Sequence, residues 1–356
     1  MNKLECQFRL LQLANGLTSP DASSIEFCGS RWVLNEYAQL SDGLAYTCIS
    51  YAWGQERTEN PLNEGQLMSA RTIPVIEATI KASRSSKNWV NIQFSYDKEK
   101  DAVAKAEALN ATHALWIDAI CIPTQDAARA SSLRSMGAIY SSAWQVFVVL
   151  SASSSTVLHQ IRDTGRLDPN ALFILESDEW ITRSWTYQEI VNSRALYFIA
   201  QDDESAIVSG VDLLNAVLTA TDDYRSTHGI DLLTWREQHP KLDSLESLIA
   251  DYQITRYAER SAYQVMSAMH ARFSERVDDH FYAMIGAITA SSLDNKDGGF
   301  YSSSEYFMRI CEAKGDYSFL YNIAPRSEIY GRHWRPIEGK FQPVRKRSQG
   351  VKFTSC

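Results

Sequence analysis

The run WQVFVVLS, residues 144–151, limits this chain more than any other stretch. It is nearly continuous in apolar and β-branched residues and lacks the alternation of a strand with one wet face. Such a run suits a strand covered on both sides, the situation of a parallel sheet with helices on its two faces. Shorter runs of the same kind occur at AYTCIS (45–50), ALWID (114–118) and ALYFIA (195–200). Stretches of helical spacing lie between them. VIEATIKASRSSK (75–87) aligns Val75, Ile76, Thr79 and Ile80; DKEKDAVAKAEALNA (97–111) aligns Ala102, Val103, Ala106 and Leu109; DAARASSLRSMGAIYSSA (126–143) aligns Leu133, Met136 and Tyr140. Residues 55–74 are polar with Gly and Pro and predict a loop with room for a short hairpin; a further helix is expected over 178–193. Strands alternating with helices predict an α/β fold with a mainly parallel sheet flanked by helices.

After residue 204 the texture changes, and segments 210–220, 242–272 and 278–289 predict a helical extension packed on the sheet. The expected division is an N-terminal segment 1–44, the α/β domain 45–204, the extension 205–330 and a basic tail 331–356. A net charge of −8 argues against broad nucleic-acid binding, and the basic run RKRSQGVK (345–352) reads as a solvated tail. No apolar run approaches the roughly 18 residues that span a bilayer. MNKLECQFRLLQLANG at the start lacks a long apolar centre, so no secretory signal is expected. Cys6, Cys28, Cys48, Cys121, Cys311 and Cys356 are scattered and contain no C-x-x-C pair, which predicts free thiols in a reducing compartment, with a cytoplasmic location.

The phosphate-binding glycine patterns, the H-E-x-x-H zinc motif and the G-x-S-x-G elbow are all missing. What remains is polar and aromatic residues where the strands end, the edge at which open α/β sheets bind ligands. Ser50, Tyr51, Trp53 and Gly54 follow the first run; Asp118, Cys121 and Gln125 follow ALWI; Ser151 and Ser153 follow the third. RSWTYQEIVNSRAL (183–196) adds Trp185 and Glu189, four apart and so on one helix face. Each has a plain structural reading too. Trp53 could pack a loop, Asp118 could cap a turn, Cys121 could be a small core residue, and Glu189 could pair with Arg183 or Arg194.

Four ordered blocks, YTCISYAWG, LWIDAICIPTQD, MGAIYSSAWQVFVVLS and WITRSWTYQEIVNSRALYF, resemble the fungal heterokaryon-incompatibility (HET) domain over about residues 45–200. Its usual blocks read YxALSYxWG, LWIDAICINQxD, MxxIYxxAxxVxVWLG and RxWTxQE. RFSERVDDHFYAMIGAI (272–288) and AKGDYSFLYNIAPR (313–326) resemble regions that follow the core in such proteins. Pro123 and Thr124 depart from the pattern, standing where the family usually has one Asn. The HET domain is in turn similar to the TIR domain. CISYAWG is like its first strand, FVVLS like the strand that ends in Ser, and SWTYQEIV fits W-x-x-x-E-[IL].

That resemblance implies a TIR-like, flavodoxin-like sheet and places Glu189 at the position where enzymatic TIR domains carry the glutamate that cleaves NAD. Nicotinamide leaves NAD as a neutral base, so one desolvated carboxylate beneath an oxocarbenium-like ribose is the chemistry implied. Trp185 would fix its rotamer, Tyr51 or Trp53 would stack on a ring, and Ser50, Gly54, Asp118, Gln125 and Ser151 would line the substrate site. NAD is then a substrate; no cofactor and no metal are expected. The functions implied are a cell-death effector that hydrolyses NAD, a non-catalytic module acting by self-association, or a relative recruited to small-molecule secondary metabolism. A homo-oligomer and a triggering protein partner are the expected associations.

Overall fold

The computed structural model describes residues 8–14, 24–38, 40, 44–63, 65–85, 113–254, 260–269, 272–274, 277–289, 303–321, 326–331 and 333. The expected helix 97–111, Cys6, Cys356 and nearly all of the basic tail lie outside them. Strands β1 (Phe8–Leu13), β2 (Ser24–Phe27), β3 (Ser30–Tyr37), β4 (Thr47–Tyr51), β5 (Arg57–Glu59), β6 (Leu67–Ser69), β7 (Ala114–Trp116), β8 (Gln145–Leu150), β9 (Leu196–Ala200) and β10 (Asp203–Ser209) carry the sheets. Eight strands form one sheet in the order β10-β9-β8-β4-β7-β1-β3-β2, and β5 and β6 form a separate hairpin.

The centre, β9-β8-β4-β7, is parallel, built from the four apolar runs singled out in the sequence. Every residue of β4 and β8 is buried, as strands covered on both faces require. Antiparallel strands extend both sides: β10 against β9, and β1 against β7 followed by β3 and β2. These outer strands, absent from the sequence reading, give residues 8–37 a place in the sheet. β10 runs across position 204, where the sequence texture changes.

Side chains alternate across the sheet with a period of two. Cys48, Val146 and Val148 point into the core shared with helices Asp126–Ser142, Ser184–Val191 and Val277–Ile288. Ile49, Phe147 and Val149 point to the other face, with Val75, Ile76 and Ile80 of helix Thr72–Ser85. Cys48, Cys121 and Cys311 are buried free thiols and Cys28 is a half-buried one. No described helix is long and apolar enough to cross a membrane.

The expected helix 178–193 is two short helices, Glu179–Thr182 and Ser184–Val191, broken at an extended Arg183. The break has a tertiary cause. Phe273 forms a parallel bridge with Arg183: its N–H donates to Thr182 O at 2.6 Å, and its carbonyl accepts from Ser184 N at 2.9 Å. Local spacing cannot reveal a partner 90 residues downstream. Asp178 starts the first helix by accepting from Trp180 N at 2.9 Å.

Helix Val277–Ile288 is the hub of the helical layer, touching helices Asp126–Ser142, Ser184–Val191 and Ser303–Lys314. It crosses Asp126–Ser142 where glycine faces glycine. A Cβ on Gly137 would lie 2.7 Å from Gly286 Cα, and one on Gly286 would lie 2.7 Å from Gln188 Cδ. Alanine normally favours a helix over glycine by about 0.5–1 kcal/mol. Here the added methyl meets backbone that cannot yield, an overpacking cost of roughly 1–3 kcal/mol. Gly137→Ala is therefore expected to lower the melting temperature by a few degrees. A variant as stable as the parent, or more stable, would show that the crossing is not close-packed.

Candidate functional site

The parallel register brings the ends of β4, β7 and β8 to one edge, so the residues after them converge. A cavity of about 700 Å³ opens there, within the range of small-molecule sites. Three stretches wall it. The turn after β4 gives Trp53, Gly54 and Arg57; the segment after β7 and the helix beyond give Asp118, Ile122, Pro123, Thr124, Arg129, Leu133 and Met136; the helix break gives Glu179, Thr182, Arg183 and Trp185. Phe273, Ser274 and Asp279 close the remaining side.

Trp53 and Asp118, both proposed from sequence, are joined. Trp53 Nε1 donates to Asp118 Oδ2 at 2.8 Å, while Asp118 Oδ1 accepts from Ala119 N at 2.7 Å. Asp118 thus fixes the indole and binds the N–H that follows it, but it is the first residue of helix Asp118–Cys121, whose cap position is Ile117, and is not its cap. Burial raises its pKa, opposed by Arg183 and by these hydrogen bonds. The Arg57 guanidinium lies 5.5 Å from the Trp53 ring centre and donates to Gly54 O at 2.8 Å. Gly54 holds a left-handed φ of 68°, and a Cβ there would meet Arg71 Nε at 2.8 Å, so this turn calls for glycine.

Glu189 is only 5% exposed and stands behind the cavity wall rather than on it. Ser50 shares its sheet face with Cys48 and donates to the Glu189 carboxylate; Trp180 Nε1 donates to Ser50 Oγ at 2.8 Å. The indole coupled to the carboxylate is therefore that of Trp180, through Ser50. Trp185, expected to hold Glu189, is half-buried and lines the cavity. Neither Arg183 nor Arg194 pairs with Glu189 among the described residues. Arg183 Nη1 donates to Tyr51 O at 2.7 Å and Arg194 Nε to Ser141 O at 2.9 Å.

Burial pushes the Glu189 carboxyl up to about 7, and the neighbouring Asp118 adds to the rise. The Ser50 hydrogen bond and the charges of Arg183 and Arg272 oppose it. Arg272 is itself 4% exposed; Nη1 donates to Arg183 O at 3.0 Å and Thr186 Oγ1 at 2.8 Å, while Nε and Nη2 lack partners. Desolvation lowers its pKa to about 10, which leaves it charged at neutral pH. The carboxylate thus sits under a cationic pair, of which Arg183 alone also faces the cavity.

Three residues proposed from sequence fall elsewhere. Tyr51 follows Ser50 by one, so it points to the opposite face, where its hydroxyl meets Thr72 Oγ1 at 2.7 Å. Gln125 is exposed and precedes helix Asp126–Ser142 without capping it through its side chain; Pro123 and Thr124 reach the cavity instead. Ser151 binds Asp178 Oδ2 through both N and Oγ, at 2.9 and 2.8 Å, which closes the loop after β8 away from the cavity. Arg129, Trp180, Arg272 and Phe273 were missed. Only Arg129 had a readable signal, because it shares an i, i+4, i+7 stripe with Leu133 and Met136. No group of metal-binding side chains occurs among the described residues.

The sign of the Glu189 shift sets a pH dependence. Its folded pKa, about 7, exceeds the ordinary 4.5, so between these values the folded state holds a proton that the unfolded chain has lost. Stability attributable to this group is intact below 4.5 and falls as pH rises to 7, by ~3 kcal/mol at about 1.4 kcal/mol per unit. Glu189→Gln has no such dependence. Denaturant unfolding at pH 5 and pH 8 is expected to show the variant gaining on the parent at the higher pH. A constant difference would mean that Glu189 titrates normally.

Residues 46–174 match the family model described as Heterokaryon incompatibility protein (HET). No curated protein and no solved structure gives a significant match to the chain. The matched segment contains Ser50, Trp53, Gly54, Asp118 and Arg129, and it stops short of Arg183, Glu189 and Phe273.

Proposed function

We propose that this chain is an effector of incompatibility-type cell death, that its cavity takes NAD, and that Glu189 acts at the ribosyl centre of that substrate. The observation that carries this reading is the state of Glu189. A carboxylate buried at the mouth end of β4, tied to one serine and placed under Arg183 and Arg272, is costly to keep and is not part of a salt bridge. Perturbed carboxylates beside a cleft are candidates for chemistry. The HET match supplies the biological setting, and the W-x-x-x-E-I spacing of Trp185 to Ile190 supplies the reaction type.

The mechanism asks Glu189 to be ionised and to face the ribose as nicotinamide departs, offsetting the positive charge that develops at C1′. Arg183 lines the cavity and its charge acts on Glu189, so the ribosyl end is expected to enter past Arg183. A second reading has one observation in its favour. Glu189 is off the cavity wall, as expected if ligand binding drives self-association and no bond is broken.

The test is incubation of the purified protein with NAD at high protein concentration, following nicotinamide release. The rate is expected to rise with pH through about 7, as Glu189 loses its proton. Glu189→Gln is expected to lower turnover by about 10²–10³-fold, the usual size for one electrostatic group. Full cleavage by Glu189→Gln would remove Glu189 from the chemistry. Cell killing by the parent with no nicotinamide release under any condition would select association without cleavage.

A further inference from the structure

A serine hydroxyl has one proton to give and can also accept, whereas an indole N–H can only donate. That difference fixes the order of the buried chain behind the cavity. Trp180 Nε1 donates to Ser50 Oγ at 2.8 Å, and the Ser50 proton goes on to Glu189 Oε2. Among the described residues that proton has no other acceptor, and the Glu189 carboxylate has no other hydrogen-bond donor. A hydroxyl that accepts from an N–H is polarised by it and becomes the better donor.

The indole at the head of the chain is held from several sides. It is 1% exposed, and its ring meets Phe198 of β9 edge-on, with centres 5.7 Å apart. Its backbone N–H donates to Asp178 Oδ1 at 2.9 Å, and Asp178 Oδ2 accepts from Ser151 N, Ser151 Oγ and Ser154 Oγ at 2.9, 2.8 and 3.0 Å. Ser151 stays off the cavity, yet it ties the loop after β8 to the residue that aims Ser50.

The other ionisable groups near Glu189 lack this geometry. Arg183, Arg272 and Asp118 act on it through charge, with no bond to the carboxylate. Cys48 of β4, Tyr51 on the far face and Tyr140 of helix Asp126–Ser142 have pKa values raised by burial and are neutral. Asp251 of helix Pro240–Ile254 is taken up by Tyr187 Oη at 2.7 Å and by Gln264. Helix Val277–Ile288 carries Asp279, on the cavity wall, and His280, whose pKa burial lowers; Arg129 of helix Asp126–Ser142 is on that wall too.

We propose that Trp180 is a positioning residue: acting only through Ser50, it aims the one hydrogen bond that the Glu189 carboxylate receives and so sets the pH at which Glu189 loses its proton. The consequence for NAD cleavage rests on Glu189 being the group that acts there; the proton equilibrium itself does not, and it is measured without substrate.

The experiment follows unfolding free energy from pH 5 to pH 9 for the parent, Ser50→Ala, Trp180→Phe and the double variant, each paired with its Glu189→Gln counterpart. Within each pair the difference changes as pH rises and levels off at the folded midpoint of Glu189. Benzothienylalanine at position 180, which keeps the indole shape with sulfur in place of N–H, replaces Trp180→Phe if that variant does not fold. Ser50→Ala is expected to move the midpoint up by about one pH unit, the size of one lost hydrogen bond to a charged group. Removing the Trp180 N–H is expected to move it in the same direction by less. In the Ser50→Ala background it should move nothing further, because the chain is already cut. A midpoint untouched by either change, a downward shift, or equal Trp180 effects with and without Ser50 overturns the proposal. So does a parent pair whose difference does not vary with pH. The two readings fail separately. Shifted midpoints with no nicotinamide release keep the relay and remove the hydrolase. Nicotinamide release with unmoved midpoints does the reverse, and where both hold, the pH midpoint of the rate moves with that of Glu189.

Discussion

The two hydrogen bonds that Phe273 makes across Arg183 govern the whole ligand edge of the sheet. Without them the chain from Glu179 to Val191 has the composition of one helix. A continuous helix would carry Arg183 and Trp185 round with its own pitch, about 100° per residue, and would set their directions by that alone. The bridge instead holds Arg183 extended, with φ −74° and ψ 137°, and starts a new helix at Ser184. Arg183 is thereby turned to Tyr51 O and the cavity, Trp185 to the cavity wall, and Glu189, further along, to Ser50. Arg272, the residue before the bridge, reaches back to Arg183 O and Thr186, so the same contact brings the second cation under the carboxylate.

The local charge balance is unusual for a purely structural network. A buried carboxylate is normally retained by an ion pair or by several donors, either of which would lower its pKa. Glu189 has one donor, Ser50, and its nearest cations stand off, so burial prevails and the pKa rises to about 7. Arg272 is in the complementary position, charged and buried, with two nitrogens unpartnered. The two form no salt bridge among the described residues; Arg272 donates to Arg183 O and Thr186 Oγ1 instead. Burial without full partnering is the condition under which a carboxylate's pKa moves toward neutrality.

The parallel centre of the sheet was legible in the sequence, and so were some of the residues that gather at its cavity. The four parallel strands could be read because burial on both faces leaves an unbroken apolar run, as in QVFVVL. The antiparallel edges were not read: β2 is half exposed and β3 mixes polar with apolar residues, so neither has that signature. Ser50 and Glu189 were both named, but the tryptophan between them was taken as Trp185. Spacing of four inside a presumed single helix pointed there, and the break at Arg183 was written in residue 273, not in the helix. Tyr51 is a different lesson. The period of two already sends Ser50 and Tyr51 to opposite faces, so the two cannot serve one site through their side chains.

The division of the cavity between segments bears on what a family match can mean here. The matched residues 46–174 bring the turn after β4 and the helix carrying Arg129, Leu133 and Met136. Arg183 and Trp185 come from beyond it, and Phe273, Ser274 and Asp279 from later still. A cavity with three sources is complete only when the helical layer is packed, and that packing runs through the Gly137–Gly286 crossing and Gln188 lodged beside it. Gln188 neighbours Glu189 in the chain, so a shift of helix Val277–Ile288 would move the carboxylate and the Phe273 wall together. The cavity wall and the C-terminal helices therefore share one packed layer.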